Sequence, residues 1–224
     1  VNLHFKANFG SGQSRHVVTM FSNPNGSSDQ KLIDQAKQAF FVTGHYGFNE
    51  FEQVNNNAFS FVFLREPISR LFSLYHFSKS EPTNNNPDLV MFDEAKKMNF
   101  LEFCFSDNPM VRSFVDNVQA RTLAGKFPLG QDESYDKELI LSQAITNLKK
   151  FDFVGLAETA NEDLKFIASE TNTIILSNRS RANANRTKGY SQHNLDMDDL
   201  RKQLAQVIDI DLKLYEAAKK LKFQ

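Results

Sequence analysis

Tryptophan is absent from this 224-residue chain, cysteine occurs once, and no stretch approaches the roughly 20 apolar residues of a membrane-spanning helix. The lone Cys104 excludes an intramolecular disulfide framework and a cysteine-based zinc site within one chain. Flanked by Phe103 and Phe105, it reads as a small buried apolar residue rather than a nucleophile. Excess charge of one sign is also lacking: 26 Lys and Arg face 27 Asp and Glu, a net charge of −1. There is then no global field to draw nucleic acid or a membrane surface, and any anion site must be local. The Walker pattern Gly-x-x-x-x-Gly-Lys-Ser/Thr is missing, which argues against a nucleotide kinase. No signal-peptide pattern opens the chain, because His4, Lys6 and Asn8 interrupt its first residues.

What is present is phenylalanine, 22 residues of it, so the aromatic core is built from rings without polar handles. The length suits one domain, 1–224, large enough to close a hydrophobic core. Strand-like and helix-like segments alternate, which predicts an α/β class. Residues 1–28 show no clear period. A short helix is expected over Asp29–Gln38, a buried strand over Ala39–Thr43, and the clearest strand over Phe59–Leu64. Pro67 suits the first turn of a helix running to about Phe77, since its missing N–H costs nothing there. Lys79–Pro87, with two prolines and three consecutive Asn, is the best candidate for a mobile insertion. Helices are expected over Leu89–Met98, Phe100–Phe105, Ser113–Leu123 and Lys137–Lys149, and strands over Phe151–Gly155 and Thr173–Leu176. Thr159 and Glu162 have the spacing of a capping box before a helix to Glu170. From Leu195 to Lys222, acids at the start and lysines at the end match a helix dipole.

The chemistry concentrates where the clearest strand runs into Arg65-Glu66-Pro67 and a helix. A guanidinium at the carboxyl end of a buried strand, followed by the positive end of a helix with free N–H groups, is a recipe for holding an anion. Ser73, eight residues on, falls on the second helical turn, where its hydroxyl can join Arg65 on one phosphate. The bland alternative makes Arg65 a surface ion-pair partner and Ser73 a helix filler. Arg70 reads as an ion-pair partner on the same helix. A second basic run, Asn178 to Gly189, carries Arg179, Arg181, Arg186 and Lys188 with no acid. Its alternative is a solvated loop.

Leu64-Arg-Glu-Pro-Ile-Ser-Arg-Leu-Phe-Ser-Leu-Tyr75 closely resembles the 3'-phosphate-binding motif of sulfotransferases that use 3'-phosphoadenosine-5'-phosphosulfate (PAPS). The nearest likeness is to the heparan sulfate 2-O- and 6-O-sulfotransferase group and bacterial-type carbohydrate sulfotransferases. Phe41-Val-Thr-Gly44-His45-Tyr46 resembles the Gly-His segment that supplies a catalytic base, and Asn117-x-Gln119-x-Arg121 resembles a stretch found in many members. Phe151-Asp-Phe-Val-Gly155 is similar to a strand that recurs nearer the C-terminus. The likeness covers residues 39–190.

By that resemblance the fold is three-layer α/β, a mainly parallel sheet flanked by helices, similar to P-loop kinases. Arg65 and Ser73 hold the 3'-phosphate of PAPS, with Arg186, Thr187 and Lys188 also on the cofactor. His45 is the general base, near-neutral imidazole being the right strength to accept a hydroxyl proton. Arg179 and Arg181 go to the cofactor or an anionic acceptor, and Gln119 and Arg121 to the substrate more weakly, since a helix-surface amide and arginine explain these two almost as well. No metal is expected. The acceptor is a saccharide, a lipid or a small metabolite, with no nucleic-acid partner. One departure stands out: the family's Pro-Lys-x-Gly-Thr-Thr loop, which cradles the 5'-phosphosulfate, is not found, and Lys6 with Gly10-Ser-Gly12 is only a faint shadow of it. The family order would place that strand and loop just upstream of Val1. Without such a loop, a sulfotransferase-like protein that binds a nucleotide or glycan without turnover is the alternative. Of three Asn-x-Ser/Thr sequons, at Asn25, Asn178 and Asn185, two lie in the basic run, where a glycan would obstruct an anion. With the lone cysteine this favours a cytoplasmic, bacterial setting, and a Golgi-lumen setting stays open.

Overall fold

The computed structural model describes residues 17–21, 29–55, 57–80, 90–125, 134–172 and 196–222. In chain order these form β1 (Val17–Phe21), α1 (Gln30–Lys37), β2 (Phe41–His45), α2 (Phe48–Val54), β3 (Phe61–Leu64) and α3 (Pro67–Ser80). Next come α4 (Val90–Lys97), α5 (Phe100–Cys104), α6 (Pro109–Val115), α7 (Val118–Leu123) and α8 (Lys137–Leu148). The chain ends with β4 (Phe153–Leu156), a 3-10 turn (Ala157–Thr159), α9 (Ala160–Glu170) and α10 (Met197–Lys222).

The mixed α/β class is observed, and both strand pairings are parallel: β1 with β2, from Val17 opposite Phe41 to Phe21 opposite His45, and β3 with β4, from Phe61 opposite Phe153 to Leu64 opposite Leu156. Phe41 and Phe61, the first residues of β2 and β3, stack at 6.3 Å between ring centroids and so bring the two pairs together. Gly155 is required opposite Phe63, because a Cβ there would lie 2.4 Å from the Phe63 ring. Among the described residues, three apolar clusters follow from the patterning. One gathers β3, β4, α7, α8 and the second half of α10 around Leu64, Leu148, Leu156 and Leu214. Another is helical, with Ile68, Leu71, Phe103, Val111 and Leu204. The smallest packs Val18 of β1 against Ile33 and Ala36 of α1. Helix α10 belongs to the first two, and is therefore the beam that joins the helical layer to the strands.

Several sequence expectations are corrected. Val17–Phe21 is a strand within a stretch read as lacking any period; its Val-Val-Thr start carries β propensity, and the pairing with β2 supplies the rest. Between the expected strands Ala39–Thr43 and Phe59–Leu64, where no helix is expected, lies α2, whose Phe48 is buried against Phe51 and Phe151. The helix expected over Ser113–Leu123 is two, α6 and α7, broken at Asp116–Asn117, where Asn117 takes a left-handed conformation at φ +43. Asparagine tolerates that region better than most residues. The Thr159–Glu162 capping box does not form; the Thr159 hydroxyl instead donates to Asp163 Oδ2 at 2.9 Å, and the helix begins at Ala160. A capping box does form at Asn99 and Glu102, ahead of α5. Cys104 is buried as read, and burial pushes its thiol up to about 12. The expected strand Thr173–Leu176, and residues 81–87 of the expected insertion, lie outside the described residues.

Candidate functional site

Arg65 follows the last residue of β3 and is partly exposed, one residue before the cap of α3. Its backbone is held on both polar groups: Arg65 N–H donates to Gln119 Oε1 at 2.9 Å, and Gln119 Nε2 donates to the Arg65 carbonyl at 2.9 Å. The helix start is not an open anion cradle. Glu66 Oε2 accepts the Ser69 N–H at 2.7 Å, and Glu66 N–H donates to Glu158 Oε1 at 3.0 Å. A carboxylate of the chain itself thus occupies part of the dipole end that the sequence reading left free. Positive charge at this strand end comes from side chains.

Ser73 lies two turns into α3 and is partly exposed, on the same face as Ser69 and His76, while Leu71, Phe72 and Tyr75 turn inward. The His76 ring stacks on Phe72 at 6.2 Å, and burial with the nearby Lys79 charge lowers its pKa. His45 closes β2, opposite Phe21 in the register. Arg179, Arg181, Arg186, Thr187 and Lys188 lie outside the described residues.

Gln119 and Arg121 are not on a helix surface. Both are buried, Gln119 at 4 % exposure and Arg121 at 0 %. Arg121 donates from Nε to the Asp116 carbonyl at 2.7 Å and from Nη2 to the Ser113 carbonyl at 2.7 Å, tying α7 back to α6. Arg70 also turns inward, its Nη2 donating to the Phe114 carbonyl at 2.5 Å. Burial lowers its pKa to about 10; the Asp211 carboxylate opposes that shift, and the Arg121 and Arg65 charges add to it.

Asp211, which sequence reading passed over, anchors this arrangement. At 1 % exposure on α10, it accepts the Ala120 N–H at 2.7 Å and the Gln119 N–H at 3.3 Å, capping the first turn of α7. Burial raises its pKa, against the opposing pull of Arg70, the two backbone donors and Arg121. A signal was available: Asp211 interrupts the apolar stripe Leu204, Ile208, Tyr215, Ala218 of a long helix, where an acid needs a partner. Arg65, Arg70 and Arg121 lie close enough to act on one another at the end of β3, with Asp211 opposing them and the Glu66 and Glu158 carboxylates at the start of α3.

A family model described as the sulfotransferase family matches residues 17–221. No curated protein and no solved structure gives a significant match. The matched range takes in β1, both parallel pairs, α3 and α10, and with them every described part of the site. The chain belongs to the sulfotransferase family.

Proposed function

We propose that this member of the sulfotransferase family transfers a sulfuryl group from PAPS to a hydroxyl or amine of a saccharide, lipid or small-metabolite acceptor, leaving adenosine 3',5'-bisphosphate. The observation that carries the reading is Arg65 at the carboxyl end of β3, fixed at both backbone groups, with the Arg70 and Arg121 charges close by. Arg65 and Ser73 hold the 3'-phosphate, the guanidinium by charge-assisted hydrogen bonds and the hydroxyl as a further donor. Arg186, Thr187 and Lys188 are assigned to the nucleotide, and Arg179 and Arg181 to the nucleotide or an anionic acceptor. Arg121, enclosed beneath α7, adds charge at a distance.

When bound, PAPS supplies a sulfuryl group whose leaving group is a phosphate anion. His45 at the end of β2 accepts the proton of the acceptor hydroxyl as its oxygen attacks sulfur. Holding acceptor and nucleotide in line is the greater part of the chain's work in such a displacement. The same reading places both strand pairs in one mainly parallel sheet of a three-layer, P-loop-kinase-like fold.

Calorimetric titration with adenosine 3',5'-bisphosphate, with 5'-AMP as control, tests the assignment. Tight binding that depends on the 3'-phosphate is the expected result. Equal affinity for the two nucleotides would remove the phosphate site from Arg65.

A further inference from the structure

The pairing of β3 with β4 ends at Leu64 opposite Leu156, one residue short of Arg65. Arg65 is nevertheless bonded as a strand residue is, through its N–H and its carbonyl together, and the partner is the side chain of Gln119. A primary carboxamide offers an acceptor and a donor side by side, the pair that one residue of a neighbouring strand would present. Alanine could not reach, an acid could not donate, and asparagine is one methylene short.

The carboxamide is itself held. Gln119 is buried, and its own N–H and that of Ala120 donate to Asp211. The Arg121 guanidinium, two residues on, bonds back to the Ser113 and Asp116 carbonyls and locks the same helical turn. Three elements therefore converge on the backbone of one residue: α7 supplies the carboxamide, α10 the carboxylate beneath it, and α6 the carbonyls. Arg65 itself, by contrast, is partly exposed. Fixing the peptide groups on either side of a residue limits where its side chain can point.

We propose that Gln119 is a positioning residue: it fixes the peptide planes flanking Arg65 and thereby aims the guanidinium at the 3'-phosphate. This role rests on the assignment of Arg65 to that phosphate. Gln119 acts on the nucleotide through Arg65, in place of the direct substrate contact that its position in the sequence motif implied.

The test is a double-mutant cycle on the full chain, read by calorimetry with adenosine 3',5'-bisphosphate and 5'-AMP. Gln119→Met keeps length and packing but removes both bonds. It should weaken the bisphosphate by about 10- to 100-fold, the scale of a misplaced binding group, and leave 5'-AMP unchanged. In the Arg65→Ala background it should cost nothing further. Where Gln119→Met does not fold, Gln119→Asn keeps the polarity without the reach and should show the same selective loss. Full bisphosphate affinity in the Gln119 variant, equal losses on both nucleotides, or an undiminished loss in the Arg65→Ala background would each overturn the positioning role. A chain whose Arg65→Ala variant binds as the wild type does would instead remove the phosphate assignment, and the positioning role with it.

Discussion

Asn117 and Ile210 meet across 93 positions of sequence, the Ile210 N–H donating to Asn117 Oδ1 at 3.1 Å. The Asp211 N–H donates to the same oxygen at 3.2 Å, while the Asn117 N–H donates back to the Val207 carbonyl at 2.8 Å. A side-chain amide is thus inserted against one turn of α10, the kind of contact that bends a long helix. That turn is where α10 passes from the helical cluster, at Ile208, to the strand cluster, at Ile210.

Asn117→Ala should therefore destabilise the fold by about 3–4 kcal/mol, combining unsatisfied buried amides with an unfavourable left-handed backbone. Asn117→Gly relieves only the backbone part and should fall about 1 kcal/mol short of that loss. Urea denaturation of the two variants checks the order. A loss under 1 kcal/mol for the alanine variant would mean that α10 does not depend on the insertion.

Lys222 and Asp163 form an enclosed ion pair, with side-chain exposures of 11 % and 6 % and Nζ 2.5 Å from Oδ1. Asp163 Oδ2 also accepts the Leu156 N–H at 3.1 Å, so the pair ties the last turn of α10 to the end of β4. Truncating one partner strands a buried charge, and Lys222→Ala should cost about 3–5 kcal/mol. Thermal unfolding of that variant beside Lys213→Ala provides the comparison. Lys213 pairs with Glu138 in the open, where such a pair contributes about 0–1 kcal/mol.

Binding and turnover should separate at the site. Arg65→Ala is expected to abolish 3'-phosphate-dependent binding while leaving the chain folded, because the bonds from Gln119 are made to its backbone and survive the substitution. His45→Ala should retain that binding and lose sulfuryl transfer, read with radiolabelled donor and a panel of sugar and phenol acceptors. A fully active His45 variant would take the histidine out of the mechanism.

Stability should fall in alkali. Burial raises Cys104 from 9.0 to about 12 and Tyr46 from 10.0 to about 12, and it also raises Tyr135 and Tyr215, which hydrogen-bond to Asp116 and Glu158. These groups keep their protons in the folded chain at pH values where the unfolded chain releases them. Their contribution is present in full below about pH 9 and is lost as pH rises toward 12. Denaturation midpoints measured from pH 8 to 11 should decline, and less steeply in Cys104→Ala. A pH-independent midpoint would contradict the burial of these groups.

Much of this was legible along the chain. β3, the proline-started α3 and the long α10 announce themselves through apolar patterning, Pro67 and the charges at either end of α10. The arginine at the strand end stands out for the same reason. The Asn117-Gln119-Arg121 motif could be noticed but not interpreted. Its three side chains reach the α10 backbone, the Arg65 backbone and the carbonyls of Ser113 and Asp116, and two of those partners are more than 50 positions away.

The sequence by itself determined the class and, through the resemblance of residues 64–75, the family, and it singled out Arg65 as a candidate, because periodicity, strand-to-helix punctuation and a charged residue at a strand end are local properties that each segment carries alone. Tertiary structure alone decided that the helix expected over Ser113–Leu123 breaks at Asn117, that the start of α3 is capped by Glu66, and that Gln119 is turned on Arg65. Each of these depends on a buried polar group finding a partner. A buried amide or carboxylate left unpaired costs more than a broken helix does, so the chain adopts the backbone that satisfies it, and the partner is known only once distant segments have packed.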